Sequence, residues 1–435
     1  MGSLLVTILV IMIAGFSLGL YVAVTIGFTA LGVGWLFSDR PIWDSLSYLP
    51  WNTLTTINLL ALPLFILMGE MLLRAGVTEN MYGTLAKWLN RLPGGLLHTN
   101  IVASGLFACV SGSSAATAAT IGAVALPFMG KRGYNHRVML GSIAGGGTLG
   151  ILIPPSIVLI VYGVLAGESI GQLYIAGIVP GFLLMLTFLI VIIAIAIIKP
   201  AIAPKESPSP LREKLIGLFA LIPIFALIFI VLGTIYLGIA TPTEAAAFGV
   251  SGALVLAVAN RRFNARMLRE TLLASATTSA MIMFILIGAF LLQFVMSFLG
   301  VPLAIARLIT ELKLSAIEVV VIVCLVYIIL GMFMESMSMI VITVPVLVPV
   351  LRTLGVDLVW FGIIVVMVVE IGMVTPPMGL NLFILHGLAA RSGFPQISFL
   401  DVFIGVLPFL AALLITITLI IMFPEIALWL VAQSQ

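Results

Sequence analysis

Two adjacent prolines, Pro154 and Pro155, interrupt the stretch GTLGILIPPSIV over residues 147–158, inside an apolar run long enough to cross a bilayer. A proline in a helix interior removes a backbone donor and clashes with the preceding turn, at about 3 kcal/mol or more. In hydrocarbon no water satisfies the freed groups. Broken backbone survives there only where it is buried in protein or lines a cavity. A chain carrying such a break must fold as several helices packed around it.

The rest of the chain agrees with a membrane setting. Of 435 residues, 62% are hydrophobic and 8% charged, a balance that soluble domains do not show. A net charge of +3 is too small to suggest nucleic acid as a partner. Cys109 and Cys324 both lie in apolar runs and give neither a disulfide framework nor a metal spacing. The first apolar run lacks a basic n-region and is too long for the h-region of a cleaved signal.

A spanning helix needs about 20 apolar residues. Such runs occupy 3–37, 53–73, 99–129, 138–165, 171–198, 215–236, 239–260, 272–299, 315–351, 357–390 and 400–423. The first is long enough for two short spans hinged near Gly15–Gly19. Residues 99–129 carry VSGSSAATAAT at their centre, and 315–351 carry GMFMESMSM. Each reads as a re-entrant helical hairpin that enters and leaves on one side. The segments 138–165 and 357–390 read as broken helices. The expected fold is an all-α polytopic membrane protein.

Basic residues orient it, because cytoplasmic loops carry the Lys/Arg excess. With the first hairpin open to the cytoplasm and the second to the outside, 15 of the 19 Lys and Arg fall inside, Lys131 and Lys205 among them. Arg40, Arg307, Lys313 and Arg352 fall outside, and both termini face outward. The tryptophans Trp35, Trp43, Trp51, Trp88, Trp360 and Trp429 lie near span ends and read as interfacial anchors.

The chain repeats itself. At an offset of 222 residues Ser114 falls on Ser336, Pro127 on Pro349, Gly133 on Gly355 and Gly150 on Gly372, while Pro154–Pro155 falls on Pro376–Pro377. At an offset of 219, FILMG (65–69) meets FILIG (284–288). The copies run in opposite directions in this topology, which makes an inverted repeat, the signature of secondary transporters. The first repeat is 1–198, with its hairpin at 99–129 and broken helix at 138–165. The Pro/Ser-rich stretch 199–214 is a cytoplasmic linker. The second repeat is 215–435, with its hairpin at 315–351 and broken helix at 357–390.

Broken helices and hairpin tips expose carbonyls at one half-helix end and amides at the other. Carbonyls suit a hard cation, and amide ends suit a carboxylate. Ser111, Ser113, Ser114 and Thr148 add neutral oxygens in the first half; Ser336, Ser338 and Thr375 do so in the second. The substrate is expected beside them, at Ser114, Thr148 and Pro154 and at Glu335, Ser338 and Pro376. Glu335 sits in a hairpin tip, where it could bind a cation or proton or cap backbone amides. Glu370 reads as acting through a neighbour. Glu70 beside Arg74 reads as a helical ion pair, and Glu244 as part of a helix start capped by Thr241 or Thr243. His386 reads as packing, and the methionines as gap-fillers.

Six stretches carry a family resemblance: FILMGE (65–70), VSGSSAATAATIGAVALP (110–127), GGGTLGILIPPS (145–156), TPTEAAAFG (241–249), GMFMES (331–336) and EIGMVTPPMGLNLF (370–383). The chain resembles the large membrane subunit of TRAP (tripartite ATP-independent periplasmic) transporters over essentially its whole length. The resemblance implies an elevator-type transporter in a bacterial inner membrane. It implies three partners besides the lipid bilayer: a small four-helix membrane subunit, a periplasmic substrate-binding protein and a small organic acid. It also implies sodium coupling with two ions. One would use Ser111 and Ser113 with carbonyls of Gly150, Ile153 and Pro155. The other would use Met334 and Ser336 with Gly372, Thr375 and Pro377. Ile153 stands where Thr375 does, so a hydroxyl is available on one side only.

Two other functions compete. An intramembrane serine enzyme could use VSGSSA with His386 as base, yet these come from different halves, and no H-E-x-x-H string occurs. A passive channel would not need two matched broken helices.

Overall fold

The computed structural model describes residues 2–38, 44–130, 132–204, 210–394 and 396–434. Arg40, Trp43, Lys131, Lys205 and the middle of the linker lie outside the described residues.

Among the described residues the regular elements are all helical. In chain order they are α1 (Gly2–Ser17), α2 (Val22–Phe37), α3 (Asp44–Leu54), α4 (Ala61–Arg74), α5 (Val77–Leu89), α6 (Leu96–Ser111), α7 (Ser114–Gly130), α8 (His136–Gly147), α9 (Ile157–Ala166) and α10 (Ile170–Ile198). After the linker come α11 (Leu211–Tyr236), α12 (Pro242–Ala259), α13 (Ala265–Phe298), α14 (Val301–Glu311), α15 (Ala316–Gly331), α16 (Ser336–Thr353), α17 (Leu358–Met373), α18 (Leu380–Arg391), α19 (Phe399–Met422) and α20 (Glu425–Gln433). Among the described residues, six helical stretches are by themselves long and apolar enough to cross a bilayer: Ile57–Arg74, Ile170–Ile198, Pro242–Ala259, Ala265–Phe298, Ser336–Thr353 and Phe399–Met422.

Local chemistry sets many of these boundaries. Capping boxes start α12 at Thr241 with Glu244, α15 at Ser315 with Glu318, and α19 at Ser398 with Asp401. Thr241 rather than Thr243 is the cap of α12. The long first run divides between α1 and α2 at Gly19, whose φ of 73° suits glycine.

The helices sort into two groups by packing. The outer group contains α1, α2, α4, α11, α12 and α13; α2 and α4 both pack on α13, and α12 packs on α4 and α11. The inner group contains α6 to α10 and α15 to α19, with α8 against α19, α7 against α18, and α9 against α16. The inner group thus interleaves the two halves of the chain. Helix α5 joins the groups in the first half by packing on both α11 and α6; α14 does so in the second by packing on α13 and α16.

One sequence expectation needs correction. Trp360 is 6% exposed and donates from Nε1 to the Ile420 carbonyl at 2.9 Å, so it packs inside rather than anchoring at an interface. It lies in the first turn of α17, which is covered by α19 and α20. Trp35, Trp51, Trp88 and Trp429 are exposed.

Candidate functional site: two helix breaks and a shared cavity

Helices α6 and α7 turn about Gly112 and Ser113. Gly112 adopts φ 58°, the left-handed conformation in which a side chain is disfavoured, and its N–H closes the end of α6 on the Ala108 carbonyl. The hydroxyls then knit the tip. Ser111 Oγ and Thr117 Oγ1 lie 2.8 Å apart, Thr117 Oγ1 donates to the Ser113 carbonyl at 2.8 Å, and the Ala116 N–H donates to Ser113 Oγ at 3.4 Å. The small residues of SGSSAAT are what let this turn close so tightly.

The first break packs directly on this tip. Helix α8 gives way to a 3-10 turn over Thr148–Ile151, and the chain re-enters helix at Ile157 under a cap from Ser156. A methyl group built on Gly150 would lie 2.6 Å from the Ser113 carbonyl oxygen and 2.7 Å from Ser114 Cα. The backbones touch, and only glycine permits it. A methyl on Gly112 would lie 3.0 Å from the Pro155 carbonyl oxygen. Ser113, Gly150 and Pro155 therefore converge on one small region with several oxygens. Ile153 adds apolar bulk there, packed on Gly181 of α10. Thr148 is buried and donates to the Gly145 carbonyl at 2.6 Å.

The second tip is built differently. Glu335 caps α16, accepting from the Met337 and Ser338 N–H groups at 3.0 and 3.3 Å, and Ser336 Oγ donates to Glu335 Oε1 at 2.6 Å. Of the roles open to Glu335, capping is the one its hydrogen bonds express. Gly372 meets Gly331 at the end of α15 rather than the tip; a methyl on Gly372 would lie 2.4 Å from Gly331 Cα. Thr375 Oγ1 donates to the Ile371 carbonyl at 2.6 Å, and the Met378 N–H, one residue beyond Pro377, donates to the Met332 carbonyl at 3.1 Å. Both Pro–Pro bonds, Pro154–Pro155 and Pro376–Pro377, are cis.

The two tips face one cavity of about 260 Å³, lined by Ser111–Ala116 from the first tip and Glu335–Met337 from the second. Its remaining polar lining is Glu70 from α4 and Thr278 from α13. Of the residues expected at the substrate, Ser114 and Glu335 line it; Thr148, Pro154, Ser338 and Pro376 do not. Of those expected at the ions, Ser111, Ser113 and Ser336 line it, while Gly150, Ile153, Pro155, Gly372, Thr375 and Pro377 stand behind the tips. Met334 faces a separate apolar groove between α1, α15 and α16.

Sequence reasoning missed Thr278. The signal was present in SATTSA (275–280), a polar interruption of an apolar span. Glu70 is paired with Arg74 as the spacing implied, and it also faces the cavity. His386 packs edge-on against Phe399.

Comparison with known proteins adds the family. The profile of the tripartite ATP-independent periplasmic transporter, DctM component, matches residues 2–426. The C4-dicarboxylate TRAP transporter large permease protein DctM of Pseudomonas aeruginosa is 36% identical over 409 residues, covering 91% of this chain and 92% of that protein. The sialic acid TRAP transporter large permease protein SiaM of Vibrio cholerae is 31% identical, covering 92% of this chain and 96% of that protein. Among solved structures, the YdaH transporter of Alcanivorax borkumensis superposes with a TM-score of 0.60 at 16% identity, covering 92% of this chain and 96% of that one, which shows a shared fold. These relatives are transporter permeases, so the serine-enzyme alternative falls away. The chain belongs to the tripartite ATP-independent periplasmic transporter family, as its large permease component.

Proposed function

We propose that this subunit imports a short organic acid across a bacterial inner membrane, coupled to sodium, by an elevator motion of the inner helix group against the outer one. The observation that carries the reading is the cavity shared by the two hairpin tips. Its volume lies just below the usual range for ligand sites of roughly 300–1,000 Å³, which favours a short carboxylate over a bulky sugar acid. The most similar relative described above is named for C4-dicarboxylates, which agrees.

The two tips are suited to different tasks. The amides of Ser114 and Ala115 open α7 toward the cavity, where partial positive charge favours a carboxylate, while that of Ala116 is taken by Ser113 Oγ. In α16 the Met337 and Ser338 amides are already taken by Glu335. The substrate carboxylate therefore sits at the first tip. Sodium at Ser111, Ser113, Gly150, Ile153 and Pro155, and at Met334, Ser336, Gly372, Thr375 and Pro377, would supply positive charge in a region with no lysine or arginine among the cavity-lining residues. The converging oxygens at the first break fit such an ion.

Helix boundaries support an inverted repeat: α6, α7, α8 and α9 shifted by 222 residues overlie α15, α16, α17 and α18. The hairpins are re-entrant and both termini periplasmic in this reading. Helices α5 and α14 are the arms between the moving and fixed groups. The partners are a small membrane subunit beside the outer group and a periplasmic binding protein that delivers the acid.

The test is uptake into proteoliposomes holding the large and small subunits with their binding protein. Replacing sodium by choline, with no proton gradient, should abolish uptake, and Ser113→Ala should lower it about tenfold or more, the worth of one hydrogen bond to a charged group. Undiminished uptake in choline would sink the sodium coupling.

A further inference from the structure

Glu370 lies in the last turn of α17 and has no exposed surface. Its Oε1 accepts a hydrogen bond from Ser114 Oγ, the first residue of α7, across 256 positions of sequence. Its Oε2 has no hydrogen-bond partner among the described residues. Ser114 is thus held from two sides. Gly150 of the first break presses on Ser113 and on Ser114 Cα, and Glu370 reaches it from two residues before Gly372 at the second break.

The repeat offers a mirror-image pair that is not made. At the 222-residue offset Ser336 stands for Ser114, and Thr148 stands for Glu370. Ser336 Oγ instead donates to its neighbour Glu335, and Thr148 Oγ1 donates to Gly145 in its own helix. Threonine lacks the reach of glutamate. Among the described residues, then, one tie joins a tip to the opposite half's break where symmetry would allow two.

We propose that Glu370 is a positioning residue that couples the two ion sites. By holding Ser114 it fixes the Ser113 carbonyl against Gly150, so filling or emptying the second break shifts the first cage. This rests on the two-site sodium reading above. A merely structural role would lower stability without changing how occupancy at one site depends on the other.

The experiment measures sodium dependence twice: by uptake in proteoliposomes and by sodium-induced thermal stabilisation in detergent without substrate. The wild type should show a Hill coefficient above one. Glu370→Ala and Ser114→Ala should each bring it toward one and raise the half-saturating sodium concentration up to about tenfold, the scale of one buried hydrogen bond. The double variant should be no worse than either single, since both remove the same bond. Glu370→Gln, which keeps an acceptor oxygen, should retain cooperativity. If Glu370→Ala does not accumulate, Ser114→Ala still answers, because it deletes a single hydroxyl. The inference is overturned if both alanine variants keep the wild-type coefficient, if their effects add in the double variant, if Glu370→Gln matches Glu370→Ala, or if the wild-type coefficient is one. A wild type indifferent to sodium would instead overturn the two-site reading itself.

Discussion

Residues 151–160 around the first break are all buried; at the second, Thr375 and Pro376 are half-buried and Pro377 and Met378 are exposed. The local strings are alike, GILIPP and GMVTPP, and both carry the same cis bond. The helix that follows each also differs in sequence. In α10, Gly177 and Gly181 let the first break lie flat: methyls there would sit 2.9 Å from the Leu152 carbonyl oxygen and 2.8 Å from Ile153 Cγ1. At the 222-residue offset these positions are Phe399 and Phe403. Phe399 lies at a tilt to Phe383 of α18, ring centroids 4.6 Å apart. A repeated motif places both breaks, and in the first half the glycines of α10 let the chain pack closely over it.

Four perturbations would break or sharpen this contrast. The largest effect is expected from Gly150→Ala, whose methyl meets rigid backbone on the Ser113 side. Overpacking of this kind destabilises by about 1–3 kcal/mol. Sodium-dependent uptake should fall roughly tenfold to a hundredfold, with a lower melting temperature in detergent. Normal uptake would show that the tip and the break separate freely. Next is chemical access. After Cys109 and Cys324 are replaced by alanine, Met378→Cys should react with a water-soluble maleimide in detergent, while Leu152→Cys should stay unmodified. Equal reactivity would erase the difference in sealing.

Thr375→Ala should act more gently. It removes one hydroxyl from the half-buried break, worth about 0.5–1.5 kcal/mol, and should raise the sodium requirement several-fold at unchanged expression. An equal loss of folded protein would make Thr375 structural. The smallest effect is expected from Glu335→Gln, because an amide oxygen can still cap α16. A change of less than about 1 kcal/mol in stability, with uptake within a few-fold of wild type, would fit capping. Loss of uptake would give the Glu335 charge a direct role in the cavity.

Much of this was legible in the sequence because it is local. Apolar runs located most of the helices, VSGSSAATAAT and GMFMESMSM located the turns between α6 and α7 and between α15 and α16, and the Pro–Pro pairs located the breaks. The short helices α5 and α14 were not anticipated, since each falls outside or at the edge of an apolar run, in a stretch too short and too mixed to read as a span. Trp360 was misplaced because nearness to a span end says nothing about which helices close over it. The Ser114–Glu370 bond and the lining by Thr278 could not be read from spacing at all. They depend on which helices meet, and no period along the chain encodes that.

The interleaving of the halves also bears on how the subunit is made. Helix α8 lies so close to α19 that a methyl on Gly141 would fall 1.9 Å from the Gly405 carbonyl oxygen, and Tyr162 Oη donates to the Leu358 carbonyl at 2.6 Å. At about 5–20 residues per second of synthesis, the 256 residues between Ser114 and Glu370 take roughly 10–50 s to emerge. For that interval the nascent first half holds its break against α10 but without α17 and α19 of the second half. A product truncated in the linker would keep α10 behind its break and lose the packing of α8 on α19 and of α9 on α17.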